Sequence, residues 1–223
     1  MVTLPMIAAA VALLAASCAA AQTITGHAKI TDGDTFTMGP VVIRLHGIDA
    51  PEAGQRCSSH AGGTWDCGTD ATNALAELVA DRELSCQALD RDGYGRIIAR
   101  CFANGQDIGA ALVDAGLAWA FRRYSDDYVA KEAGAKTAGI GIWEADNQTP
   151  WDYRDDRWNR AAAASPLPGC PIKGNIASDG ERIYHTPWSP AYSRTKITEG
   201  KGERWFCDEA EAVSAGWRAA RWR

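Results

Sequence analysis

Between Ile30 and Glu52 the chain reads I-T-D-G-D-T-F-T-M-G-P-V-V-I-R-L-H-G-I-D-A-P-E, which sets Asp34, Arg44, Asp49 and Glu52 within one short stretch. Two carboxylates can hold a hard divalent cation. An arginine can clamp a phosphoryl oxygen with two parallel hydrogen bonds, and the remaining carboxylate is left to steer or deprotonate water. The chemistry these residue types suggest is hydrolysis of a phosphodiester.

Such a set works only if neighbouring elements hold it in place. Three runs with β character, T-I-T-G-H-A-K-I, D-T-F-T-M and V-V-I-R-L, are separated by Asp-Gly and Gly-Pro turn signals and predict a meander. A Gly, Ser and Thr-rich loop over 53–68 leads to A-T-N-A-L-A-E-L-V-A. Its apolar positions 74, 75, 78 and 79 share one helical face, with Thr69 or Asp70 as N-cap. Two further strands, E-L-S-C-Q-A-L and R-I-I-A-R-C-F, flank the turn Arg91-Asp92-Gly93-Tyr94. The run D-I-G-A-A-L-V-D-A-G ends on Gly116 like a helix terminus, and a last helix is expected from about Asp126 to Lys136, capped by Ser125. Five strands with a helix after the third resemble the Greek-key barrel of an OB-fold. The expected fold is therefore α+β and mainly β: a five-stranded barrel with about three helices, plus a small C-terminal disulfide-stapled module.

The chain has 223 residues, 46% of them apolar, enough for one ordinary domain and an appendage. Residues 1–21 carry no charge, run apolar from Met6 to Ala16 and end in Ala19-Ala20-Ala21, the pattern of a signal peptide cleaved before Gln22. The run is too short to span a membrane, so a secreted or periplasmic protein is expected. Cys18, after Ala-Ala-Ser, offers the alternative of a lipid anchor. Residues 22–160 would form the catalytic domain and A-A-A-A-S-P-L-P-G at 161–169 a mobile linker. Residues 170–223 would form the small module, read as a stabilising or adhesive appendage.

Six cysteines follow the leader: Cys57, Cys67, Cys86, Cys101, Cys170 and Cys207. An even number in an exported chain reads as disulfides, and of the fifteen pairings the nearest-neighbour set is favoured because each pair brackets a local unit. Zinc is the rival, through Cys57, His60 and Cys67 or through Cys170, His185 and Cys207, but neither group has C-x-x-C spacing. Residues 22–160 hold 14 basic against 21 acidic side chains, and residues 161–223 hold 9 against 7. That balance argues against a plain nucleic-acid-binding module, which relies on a basic surface.

The segments D-G-D-T, R-L-x-G-I-D-A-P-E and Y-G-R together resemble the staphylococcal nuclease family, from about Ile24 to Trp143. The resemblance implies an OB barrel and a calcium-dependent nuclease that cuts single- and double-stranded DNA and RNA to 3′-phosphate ends. It makes Asp34, Asp49 and the Ala50 carbonyl the calcium ligands, Arg44 and Arg96 the contacts to the scissile phosphate, and Glu52 the residue acting on water. Three carboxylates, two arginines and a phosphodiester leave a surplus that one divalent cation cancels. Tyr94 would bind a substrate phosphate or pack on its strand. Asp32 reads as a turn residue that orients Asp34, and His46 as structural. Trp119 and Phe121 would stack on bases or pack in the core. A monomer is expected. The rival readings are a catalytically silent OB module that binds single strands, and an envelope adhesion protein.

Overall fold

In the computed structural model of the chain, residues 22–220 are described; the expected signal peptide and Cys18 lie outside them. The first β run is not one strand. Strand β1 (Thr23–Gly26) and strand β2 (Lys29–Ile30) are separated by His27 and Ala28 and serve opposite edges of one sheet. Strands β3 (Thr35–Met38) and β4 (Val41–Leu45) complete the meander with β2. Next come a short strand β5 (Ile48–Asp49), a ribbon of β6 (Cys57–Ser58) and β7 (Thr64–Trp65), and helix α1 (Cys67–Val79).

Strands β8 (Leu84–Arg91) and β9 (Ile97–Ala103) form the expected hairpin, with Cys86 and Cys101 directly opposed. A small strand β10 (Gln106–Asp107) pairs with β9. The main sheet runs β1-β8-β9-β4-β3-β2. Its two edge strands are joined by only two residues, so the edges lie within about 11 Å, three Cα steps of ~3.8 Å. The sheet must therefore curl, and five strands result if β1 and β2 are counted as halves of one. Phe36, Ile43, Leu45, Leu75, Leu84, Ile108 and Leu112 fill its interior, each at most 2% exposed.

Helix α1 begins at Cys67, earlier than its alternation of apolar residues suggested, and neither Thr69 nor Asp70 caps it. The Cys57–Cys67 disulfide fixes that end instead. Helix α2 (Ile108–Asp114) is capped by Asp107 and stops at Gly116, which adopts φ 65° against the Ile140 carbonyl. Strand β11 (Trp119–Ala120) pairs with β5, Trp119 facing Asp49 in the register. Helix α3 (Val129–Ala138) starts three residues later than expected, because Ser125 accepts the Asp127 amide in a turn that precedes it.

Helix α4 (Pro150–Ala164) was not foreseen. Thr149 caps it by accepting the Asp152 amide, and proline occupies its first turn, where a missing N–H costs nothing. Ala161 to Ala164, expected as linker, are its last turn; alanine is the strongest helix former, and only residues 165–169 remain as a connection. Beyond it, β12 (Ile172–Ile176), β13 (Arg182–His185), β14 (Arg204–Phe206), helix α5 (Glu209–Ser214) and β15 (Arg218–Ala219) build a four-stranded sheet of order β14-β12-β13-β15. Among the described residues four α-helices, α1 to α4, accompany the barrel, against about three expected, and α5 belongs to the small module, where D-E-A-E-A-V-S-A-G-W-R suggests a short helix. The small sheet encloses Ile172, Tyr184, Phe206, Ala212 and Trp217, and Trp158 of α4 packs against this cluster. All three disulfides join nearest-neighbour cysteines, Cys57–Cys67, Cys86–Cys101 and Cys170–Cys207, which excludes zinc at those sulfurs.

Candidate active site

The β3–β4 hairpin places Thr35 opposite Arg44, so Asp34 lies at the open end of the hairpin, beside the arginine. Arg44 donates from Nη1 to Asp34 Oδ1 at 2.6 Å and from Nη2 to Asp49 Oδ1 at 2.9 Å. Asp34 also accepts from the Thr35 hydroxyl (2.8 Å) and the Ala50 amide (3.2 Å). Gly33 permits this approach, since a Cβ there would come within 2.9 Å of Ala50 Cβ. Asp32 accepts the Asp34 amide at 3.1 Å, the orienting turn expected of it.

Asp49 is held from behind. Its strand pairs with Trp119, whose ring is buried edge-on against Trp143, 5.5 Å between centroids. Trp119 is therefore core rather than a stacking platform. Phe121 does line the cleft, stacked at 5.3 Å on Trp151 of α4. His46 approaches Asp127 at 3.4 Å, in keeping with a structural role.

Glu52 sits in a loop tied down by the buried Gln55, whose Oε1 accepts the Glu52 amide at 3.1 Å and whose Nε2 donates to the Gln148 carbonyl at 2.7 Å. One side chain thus joins the Glu52 loop to the segment that opens α4. The start of α1 presses on the same loop: a Cβ on Gly68 would lie 1.7 Å from the Glu52 carbonyl oxygen, a separation only glycine allows.

Helix α4 brings in a residue that the sequence did not single out. Arg154 donates to Asp49 Oδ2 at 2.7 Å, to Asp49 Oδ1 at 3.1 Å and to Glu52 Oε1 at 2.6 Å. The T-P-x-D start and the long run free of Gly and Pro could have signalled its helix. No local spacing could have signalled the contact, because its partners lie 102 and 105 residues earlier.

Arg96 reaches the same cleft by way of the parallel pairing of β4 with β9, which sets Arg44 opposite Ile98, two residues beyond Arg96. Its Nε donates to Asp92 Oδ2 at 2.7 Å and its guanidinium stands 5.3 Å over the Tyr94 ring. Tyr94 is 41% exposed at the cleft rim.

At Asp32, Asp34 and Glu52 burial favours the protonated form, and the arginines oppose it. Burial would raise Asp34, but Arg44, Thr35 and Arg96 outweigh it and hold that carboxyl below its ordinary value. Burial pushes Glu52 up to about 8 although Arg154 pulls the other way. Burial and the Asp34 charge push Asp32 up to about 7. Burial would weaken Arg44 and Arg154 as cations, yet the carboxylates around them hold both firmly protonated.

Among the described residues no three His, Cys, Asp or Glu side chains converge as a ready metal cage. The reason is visible in the contacts: Arg44 stands between Asp34 and Asp49, and Arg154 between Asp49 and Glu52. Two guanidiniums take the places between carboxylate oxygens that a hard cation would suit.

The C-terminal module, read from the sequence as a stabilising or adhesive appendage, forms the opposite wall of this cleft of about 1570 Å³ through Tyr184, Thr186, Trp188 and Glu209. Glu209 accepts the Tyr184 hydroxyl at 2.8 Å and lies within electrostatic reach of Arg96 and Arg154. Helix α4 connects the two walls, since Tyr153 donates to the Gly54 carbonyl at 3.1 Å while Trp158 packs on the module.

The family model described as "Staphylococcal nuclease homologue" matches residues 42–145, a span that includes Arg44, Asp49, Glu52 and Arg96 but ends before Arg154. Among curated proteins, the chain is 36% identical over 146 residues to "Succinoglycan biosynthesis protein ExoI" of Rhizobium meliloti (strain 1021), covering 63% of this chain and 75% of that one. It is 32% identical over 139 residues to an "Uncharacterized endonuclease" of Haemophilus influenzae (59% and 70% covered). It is also 32% identical over 166 residues to a "Micrococcal nuclease" of Shigella flexneri (66% and 90% covered). A curled mainly-β sheet with Arg44 bridging Asp34 and Asp49 at its open end, together with these matches, places the chain in the staphylococcal nuclease homologue family.

Proposed function

We propose that the protein is an exported, calcium-dependent nuclease that hydrolyses phosphodiester bonds in DNA and RNA with low sequence specificity and leaves 3′-phosphate ends. One observation carries this reading: Asp34 and Glu52 line a cleft together with Arg44, Arg96 and Arg154, and Arg44 and Arg154 tie both acids to the buried Asp49 behind it. The endonuclease and micrococcal nuclease among its relatives support it. Three disulfides favour an oxidising compartment outside the cytoplasm, and no helix among the described residues is long and apolar enough to cross a membrane.

The acid set fits a hard divalent cation, because its donors are all oxygens and positive groups already bridge them. Asp34, Asp49 and the Ala50 carbonyl would hold calcium, which would neutralise charge on the phosphoryl oxygens. Arg44 and Arg96 bind and orient the phosphate, and as negative charge builds in the transition state their grip strengthens. Glu52, in its ionised form, takes the proton of the attacking water. Tyr94 at the rim donates to a flanking phosphate.

The test compares the wild-type protein with Glu52→Gln on a labelled oligonucleotide and identifies the product ends. The expected result is fragments carrying 3′-phosphate and 5′-hydroxyl, lost with Glu52→Gln. Cleavage unchanged by that substitution would remove Glu52 from the chemistry.

A further inference from the structure

Arg154 lies outside the segment that matches the family, yet it makes three hydrogen bonds to two carboxylates of the proposed site. It engages both oxygens of Asp49, a side chain with no exposed surface, and the same guanidinium holds Glu52. Asp49 Oδ1 already accepts from Arg44 as well, so neither oxygen of Asp49 lacks a cationic partner. Arg154 is no loose surface chain: its neighbour Tyr153 is tied to Gly54, Gln55 is tied to Gln148, and Trp158 one turn on is packed into the module.

A carboxylate oxygen engaged by a planar guanidinium fork is shielded from a second cation, and a full positive charge beside it opposes one. The two occupants exclude each other at Asp49. We propose that Arg154 occupies the Asp49 oxygens that the divalent cation would use and must be displaced from them for the cation to bind, so that it sets the cation concentration at which the nuclease switches on. The inference rests on the metal-dependent reading above. It makes Arg154 a positioning residue: with it in place Glu52 is held against α4, and with it displaced Glu52 is free to face water.

Calorimetric titration of calcium into the full-length protein, without substrate, tests this on wild type, Arg154→Gln, Arg154→Lys and Asp49→Asn. Releasing the charge-assisted fork should tighten calcium binding in Arg154→Gln by about tenfold or more. Arg154→Lys keeps the charge but cannot span both carboxylates in one plane, so its affinity should fall between wild type and Arg154→Gln. Thermal melting without calcium should show Arg154→Gln folded but less stable than wild type, and calcium should raise its melting temperature by more.

Equal or weaker calcium binding in folded Arg154→Gln and Arg154→Lys would overturn the displacement. Tighter binding in Arg154→Gln with Arg154→Lys equal to wild type would reduce the effect to net charge and overturn the role of the fork. Wild type that binds no divalent cation, or Asp49→Asn that binds as wild type does, would instead overturn the metal reading itself.

Discussion

Arg44 and Arg154 meet at one atom, Asp49 Oδ1, at 2.9 and 3.1 Å, although they come from the barrel and from the helix beyond it. Asp49 therefore depends on two elements that sequence separates widely. Its side chain is fully buried, so loss of either guanidinium leaves a charge that water cannot reach.

Arg44→Ala should destabilise the fold by about 3–5 kcal/mol, the cost of breaking a buried ion pair, because Asp34 and Asp49 lose their shared partner together. Chemical denaturation measures this. Calcium in excess should recover part of the loss.

Arg44→Lys and Arg96→Lys should each lower kcat/KM by about 10²- to 10³-fold, as expected when one transition-state donor is lost, because an ammonium cannot reproduce a two-pronged grip on phosphate. Steady-state kinetics on single-stranded DNA measures it. Near-normal turnover in both variants would contradict the two-clamp mechanism.

Gly68→Ala should impair Glu52 at a distance. The new methyl would lie 1.7 Å from the Glu52 carbonyl, so the loop or the start of α1 must shift. Overpacking of this kind costs about 1–3 kcal/mol. Turnover should fall together with melting temperature, whereas a change in melting temperature alone would show that the loop tolerates displacement.

Replacing Cys86 and Cys101 by alanine together should cost about 3 kcal/mol, since the disulfide closes a loop with a sequence separation of 15. The hairpin it braces leads to Arg96, so activity should fall more steeply with temperature than in the wild type. Parallel melting and activity curves would separate the two effects.

Asp34, Arg44, Asp49 and Glu52 were legible in the sequence because one hairpin and the loop after it suffice to gather them. Arg96 needed the barrel to close through a parallel pairing of β4 with β9, which joins strands far apart in sequence and is marked by no local motif. Arg154 was hidden because its position depends on how α4 docks, through Tyr153, Gln55 and Trp158, and no motif encodes docking. The split of β1 from β2 was hidden for a related reason: a half-buried strand alternates in the same way whichever neighbour it pairs with. Tandem alanines at 161–164 read as linker by composition, while their propensity, once Thr149 and Pro150 start a helix, favours its continuation.

The most direct test of the account is cleavage of single-stranded DNA by the purified protein in calcium, in EDTA, and in EDTA followed by excess calcium. Cleavage in calcium, its loss in EDTA and its return on re-addition are the predicted results. Cleavage indifferent to EDTA, or binding of the strand without any calcium-dependent cleavage, would contradict the account.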